Sequence, residues 1–225
     1  MDNKFISFSL YGNDPKYVVG AHKNIEICQR LMPEWKIKIF TNHNVTSLEN
    51  IQKLSNYSNV IIVDPESILP CENLYSMGAF WRFFAFFDNS AALSRDLDSR
   101  ITTREINYIN SWINNDSTPH IFIIRDHPWQ SLAPAGLIGM QNLGLKFYNF
   151  FVDFVNNESL DWGQDQVILD NFISYYNDIN VYRCENNTLH YIPRDNKDFF
   201  IGIQLDENDT PICPASLQYL LDLNL

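Results

Sequence analysis

The chain switches between two hydrophobic periods, and the switches outline its elements. Phe5–Leu10 alternates apolar and polar residues and predicts a strand, and Tyr11-Gly12-Asn13-Asp14-Pro15 predicts a turn. Asp14 suits an N-cap and Pro15 the first helical position, so a helix should run from there to about Leu31, before Pro33. Trp35–Phe40 predicts a second strand, Leu48–Leu54 a short helix, and Val60–Val63 a third strand ended by Asp64-Pro65. Met77–Phe87 is apolar all round and predicts a buried core helix, in which only Arg82 and Asp88 call for polar partners. Leu93 lies near the end of a short fourth strand, with Asp96–Asp98 at its exit. Thr102 and Glu105, three apart, predict a capping box. Ile121–Ile124 reads as a fifth strand, Leu145–Val155 and Gln166–Tyr175 as helices, Val181–Arg183 and Phe199–Ile203 as late strands, and Ser216–Leu223 as a terminal helix.

Strands that alternate with helices imply an α/β sandwich with a mostly parallel sheet. Ligands of such sheets bind beyond the carboxyl ends of the strands. The loops at that edge would be Tyr11–Asp14, Thr41–Asn44, Asp64–Tyr75 and Arg95–Arg100.

Composition narrows the picture. With 16 Phe, 11 Tyr and 5 Trp in 225 residues, the chain can bury a sizeable core. A net charge of −11 argues against nucleic acid as a partner. Cys28, Cys71, Cys184 and Cys213 are widely spaced, so neither a zinc site nor a disulfide framework is suggested. The first strand is too short for a signal peptide, and no run approaches the ~20 apolar residues of a membrane span. These features lead to the expectation of a cytoplasmic protein and of Asn44-Val45-Thr46 and Asn186-Asn187-Thr188 as chance sequons.

The exit of the fourth strand reads Arg95-Asp96-Leu97-Asp98-Ser99-Arg100. Carboxylates at i and i+2 of an extended segment point the same way. Two like charges that close repel unless a cation lies between them. A hard divalent ion such as Mn²⁺ or Mg²⁺ prefers these oxygens, so Asp96 and Asp98 are candidate metal ligands.

Other short motifs fall around it in a fixed order. They are Ile6-Ser7-Phe8-Ser9-Leu10-Tyr11-Gly12, Pro33-Glu34-Trp35, Trp81-Arg82-Phe83, Ile124-Arg125-Asp126-His127-Pro128 and Gly163-Gln164-Asp165-Gln166. Together with the carboxylate pair and Arg104-Glu105, this series resembles small GT-A-type, nucleotide-sugar-dependent glycosyltransferases of the bacterial surface-polysaccharide and large-virus kind. The resemblance covers roughly residues 5 to 170. It implies a Rossmann-like α/β/α sandwich spanning residues 1–225. About 1–100 would form the nucleotide-binding half, about 101–203 the acceptor half, and 204–225 a tail. It also implies a hexosyltransferase-like activity using a nucleotide-diphosphate sugar, with UDP as the expected nucleotide, and a glycan or other hydroxyl acceptor.

Residue by residue, the resemblance implies that Asp96, Leu97 and Asp98 hold the donor through Mn²⁺ or Mg²⁺, with His190 a third metal ligand or a structural residue. Ser7, Ser9, Tyr11 and Asn13 would face the base and ribose, and Arg82 would pair with the diphosphate or with Asp96. Asp165 is the first candidate for base or nucleophile; its alternative is a carboxylate that complements a helix dipole. Asp126 is the second candidate. His127 would reach the sugar or acceptor unless it is simply part of a turn. Trp129 and Trp162 are candidates for stacking on acceptor sugars or, equally, for core or rim packing. Two other classes also contain such features: a haloacid-dehalogenase-type phosphatase using Asp96, and a non-catalytic nucleotide-sugar or glycan-binding module. In the phosphatase the D-x-D normally ends the first strand of the domain, and Ser94-Arg95 would not interrupt the apolar run.

Overall fold

A computed structural model describes residues 3–69, 77–158, 160–185 and 199–222. Seven strands form one sheet: β1 (Lys4–Ser9), β2 (Lys36–Phe40), β3 (Val60–Val63), β4 (Ala91–Arg95), β5 (Ile121–Arg125), β6 (Leu137–Met140) and β7 (Val181–Glu185). Their order is β3-β2-β1-β4-β6-β5-β7, and every pairing is parallel except the two made by β6. The helices are α1 (Pro15–Leu31), α2 (Leu48–Ser55), α3 (Thr103–Ile113), α4 (Gly144–Asn157), α5 (Gln164–Tyr175) and α6 (Pro214–Asp222). Among the described residues, no helix is long and apolar enough to cross a membrane.

Period-two alternation divides the core between the two faces of the sheet. In β5, Ile121 and Ile123 pack with α4, α5 and the aromatic stretch, whereas Phe122 and Ile124 pack with α1 and α3. In β1, Ile6 and Phe8 join the α1 side, which leaves Ser7 and Ser9 on the other face. The caps form as expected. Asp14 accepts from the Lys16 N–H at 3.0 Å, and Thr102 Oγ1 accepts from the Glu105 N–H at 3.1 Å.

Three elements depart from the sequence reading. The aromatic stretch Gly78–Phe87 is a 3₁₀-helix rather than an α-helix. A three-residue period eclipses side chains at i and i+3. Phe83 and Phe86 stack at 5.9 Å, and Phe84 and Phe87 at 5.3 Å. These rows meet Phe147 and Phe151 of α4. The remaining row is Ala79, Arg82 and Ala85, so the one buried charge of this helix stands between small residues. Strand β6 was not anticipated. Residues 199–203, expected as a strand, form a turn that is stitched down instead: the Ile201 N–H donates to Asp126 Oδ2 at 2.7 Å.

Candidate active site

The site is organised around Arg82. Ser7 and Ser9, two apart on β1, face the aromatic helix. Ser7 Oγ donates to the Arg82 carbonyl at 2.6 Å, and Ser9 Oγ accepts from the Arg82 N–H at 2.8 Å. The main chain of Arg82 is therefore held on both sides. Its guanidinium then forks: Nη1 donates to Asp96 Oδ1, and Nη2 donates to Asp165 Oδ2 at 2.8 Å. Burial works against the charge on Arg82, but the Asp96 and Asp165 carboxylates outweigh it and raise its pKa. One guanidinium thus joins two carboxylates that are 69 positions apart in the chain.

Asp96 stands at the carboxyl end of β4, the fourth strand in sequence. Its other oxygen, Oδ2, rests on Gly136, where an added Cβ would stand only 1.8 Å away. Asp98 is buried, and its carboxyl is pushed up to about 6 by burial and then by Asp96, with Lys16 and Arg82 acting the other way. Asp165 lies in the first turn of α5, behind Gly163, whose φ of 86° favours glycine. Its pKa is raised by burial; Arg82 opposes that shift and Asp96 adds to it.

The loop carrying the pair is held from below. Arg95 is buried; its Nη1 donates to the Gly136 carbonyl at 2.7 Å, and its Nε lies 3.1 Å from Glu105 Oε1. Asn24 of α1 donates to the Ser99 carbonyl and accepts from the Ile101 N–H. Leu97 buries its side chain, and its carbonyl accepts from Arg100 Nη1 at 3.0 Å. The C-terminal segment adds a further bond, from the Leu205 N–H to the Asp98 carbonyl at 2.6 Å.

The remaining predicted residues divide between the site and the scaffold. Tyr11 is 40% exposed, with its ring against Gly78 and edge-on to Trp81. Asn13 accepts from the Ser47 N–H and Asn50 Nδ2, so its amide holds the start of α2. Ser7 is fully buried, and its hydroxyl serves Arg82 rather than a ligand surface. Asp126 is fully buried, paired with Arg104 and bonded to Ile201. His127 is also buried. Its Nδ1 accepts from the Trp129 N–H, and its Nε2 lies 3.0 Å from the Ser216 carbonyl. These contacts commit both residues to the C-terminal segment and the loop after β5. His190 lies outside the described residues. Sequence reasoning missed Gly136, Asn24 and the Arg95–Glu105 pair, although Arg95 and Glu105 both stood in motifs that had been singled out.

The donor set of Asp96 and Asp98 fits a hard divalent ion. A buried carboxylate beside another of like charge is disfavoured as an anion, and a cation between them removes that penalty. Among the described residues, no group of three or more His, Cys, Asp or Glu is arranged to hold a metal. Asp96 and Asp98 are the residues that would hold such an ion.

The strand order, in which β6 alone runs antiparallel to its neighbours, is that of a GT-A-type α/β fold. The same fold occurs in a glycosyltransferase involved in the glycosylation of the major capsid of PBCV-1, with a TM-score of 0.52, 14% identity and 82% of each chain covered. The 2-C-methyl-D-erythritol 4-phosphate cytidylyltransferase of Francisella tularensis is also similar, with a TM-score of 0.46, 13% identity, and 85% of this chain and 94% of that chain covered. No protein-family model matches the sequence, and no curated protein matches it either.

Proposed function

We propose that this chain is a metal-dependent glycosyltransferase that moves a sugar from a nucleotide-diphosphate sugar, with UDP as the nucleotide, to a hydroxyl of a glycan or other acceptor. The observation that carries this reading is the convergence of Asp96, Asp98, Arg82 and Asp165 at the carboxyl edge of a GT-A sheet. Asp96 and Asp98 would hold Mn²⁺ or Mg²⁺, which when bound supplies Lewis-acid stabilisation of the departing nucleoside diphosphate.

The protein's own part is positioning. Arg82 is fixed by the two β1 serines and in turn fixes the spacing of Asp96 and Asp165 before any ligand arrives. Asp165 would take the proton of the acceptor hydroxyl. Its pKa is raised, first by burial, which makes it a stronger base than an ordinary aspartate. The Tyr11 ring, seated on Gly78, would offer its open face to the nucleotide base.

Thermal melting against a panel of nucleotide sugars, with and without Mn²⁺, tests the reading, because a ligand that binds only the folded state raises the melting temperature. A rise with a UDP-sugar only when Mn²⁺ is present, followed by sugar transfer to a hydroxyl acceptor, is the expected result. Indifference to every nucleotide sugar in the presence of Mn²⁺ would overturn it.

A further inference from the structure

Residues 204–212 form a hairpin against the loop that carries Asp96 and Asp98. Leu205 and Pro211 make its bridge, and the Ile212 N–H donates to the Gln204 carbonyl at 3.0 Å. Asp206 closes the turn. Its N–H donates to the Thr210 carbonyl at 2.9 Å, and its carbonyl accepts from the Asp209 N–H at 3.2 Å. Its Oδ1 accepts from the Asn208 and Thr210 N–H groups, each at 2.8 Å. In three-residue hairpin turns of this kind the last loop residue is left-handed, and glycine is the usual choice there. Here that residue is Asp209, with φ at 63°. Because Asp206 already holds the turn, the Asp209 carboxylate is not needed to form it.

That carboxylate bridges two cations instead. Its Oδ1 accepts from Arg100 Nε at 2.9 Å, and its Oδ2 from Lys23 Nζ at 2.7 Å. Each cation also takes a main-chain carbonyl of the turn: Arg100 Nη2 that of Asp206 at 3.2 Å, and Lys23 Nζ that of Glu207 at 2.8 Å. Lys23 belongs to α1, and Arg100 lies over Gly20 of the same helix, where an added Cβ would stand 3.1 Å from its Nη1. Two residues beyond Asp98, Arg100 reaches back through Nη1 to the Leu97 carbonyl at 3.0 Å. The next carbonyl, that of Asp98, accepts the 2.6 Å bond from the Leu205 N–H of the hairpin. Two consecutive carbonyls are thus held, one by Arg100 and the other by the hairpin, and Asp209 joins the two holds.

We propose that Asp209 is a positioning residue: its carboxylate latches the hairpin to Arg100 and Lys23, and so fixes the main chain from which the Asp98 side chain is presented. A single exposed ion pair adds little to stability. Here two meet on one carboxylate, and what they restrain is a short loop rather than the whole fold, so their effect is local. The consequence for cation binding rests on the metal role of Asp96 and Asp98 proposed above; the latch itself does not.

Amide hydrogen exchange, resolved by NMR on the whole chain without ligand, tests the latch. Mn²⁺ affinity in the presence of UDP, from water proton relaxation, is the second readout. Asp209→Gly suits the left-handed turn and removes only the carboxylate. Exchange should quicken by about tenfold at Leu205, and also at Ser99 and Ile101 in the carboxylate loop, the weight of two partly exposed ion pairs. Mn²⁺ affinity should fall by a similar factor. Asp209→Asn keeps the turn and one acceptor oxygen, and should lie between glycine and wild type in both readouts. Exchange that quickens only within residues 206–210, as loss of a plain turn residue would cause, or that matches wild type throughout, would overturn the latch. Wild-type Mn²⁺ affinity in a variant whose carboxylate loop exchanges faster would overturn the positioning role. If Mn²⁺ binds neither wild type nor variant, the metal reading fails, and the exchange pattern still decides the latch.

Discussion

Gly136→Ala should impair the proposed cation site while sparing the fold. The added methyl would lie 1.8 Å from Asp96 Oδ2 and 2.5 Å from Asp96 Cγ, whereas the Asp96 main chain is 3.3 Å away. The side chain must therefore give way, by at least about 1.5 Å at the oxygen. Gly136 does not have a positive φ, so alanine brings no backbone strain. The Asp96 side chain is 43% exposed and can swing into solvent, and Arg82 keeps its bond to Asp165. A charge-assisted bond is worth ~1.5–3 kcal/mol at most; discounted for that exposure, the loss is about 1 kcal/mol. In a chain of this size that lowers the melting temperature by about 2–4 °C. The cost to function is far larger, since a misplacement of about 1 Å in a positioned group can cost ~100-fold. Calorimetric titration of UDP in the presence of Mn²⁺, alongside a melting curve, reads both effects. Wild-type affinity in the variant would refute the role of Asp96. A melting temperature lowered by more than about 10 °C would show that Gly136 serves packing instead.

Four other outcomes follow from the same geometry. Asp98→Ala should abolish Mn²⁺-dependent affinity for nucleotide sugar in the same titration, because one carboxylate does not replace two. Asp165→Asn should keep donor binding and lose transfer by ~100-fold or more, and full activity in a turnover assay would remove Asp165 from the mechanism. Glu105→Ala leaves the Arg95 guanidinium buried without its partner, at a cost of ~3–5 kcal/mol; calorimetric melting should then fall by about 6–20 °C. Burial pushes the Cys28 thiol up to about 12 and the Cys184 thiol up to about 11, whereas Cys213 is exposed. A thiol reagent at pH 8 should therefore label Cys213 in the native protein and spare Cys28 and Cys184, as peptide mapping would show.

The legible parts of this chain were those governed by local rules. The alternation in β1 and the caps at Asp14 and Thr102 need only a few neighbouring residues, and they formed as read. Strand β6 was invisible because Leu137–Met140 is four residues long, buried on both faces and interrupted by Gly139, so it shows no alternation. The aromatic stretch was recognised as a buried helix, but its pitch was decided by how the Phe rows meet α4, which is tertiary information. At the site, Asp96 and Asp98 were picked out by their spacing on an expected extended segment, whereas Leu97 and Asp98 lie in a turn and, of the two carboxylates, only Asp98 is buried. The roles of Ser7 and Ser9 depended on which face of β1 meets the aromatic helix, and the link from Arg82 to Asp165 spans 83 positions. The one hint of that link was a lone arginine in a run of aromatics.

Strand β6 runs against its neighbours, so its first residue rather than its last stands at the ligand edge, with Leu137 opposite Arg95. The segment from Arg125 to Leu137 therefore leaves and re-enters the sheet at the same border and needs no crossover to return. That makes it a replaceable cassette. Its early part carries Trp129 and Leu132, and its last residue before β6 is the Gly136 under Asp96. Lengthening the early part leaves the seven-stranded frame intact, at a closure cost of only about 0.6 kcal/mol per doubling. A chimaera that exchanges Trp129 and Leu132 and retains Gln130, Ser131, Pro134, Ala135 and Gly136 would change what the loop presents to solvent and keep the Gln130 bonds to Asp126, His127 and Ile201.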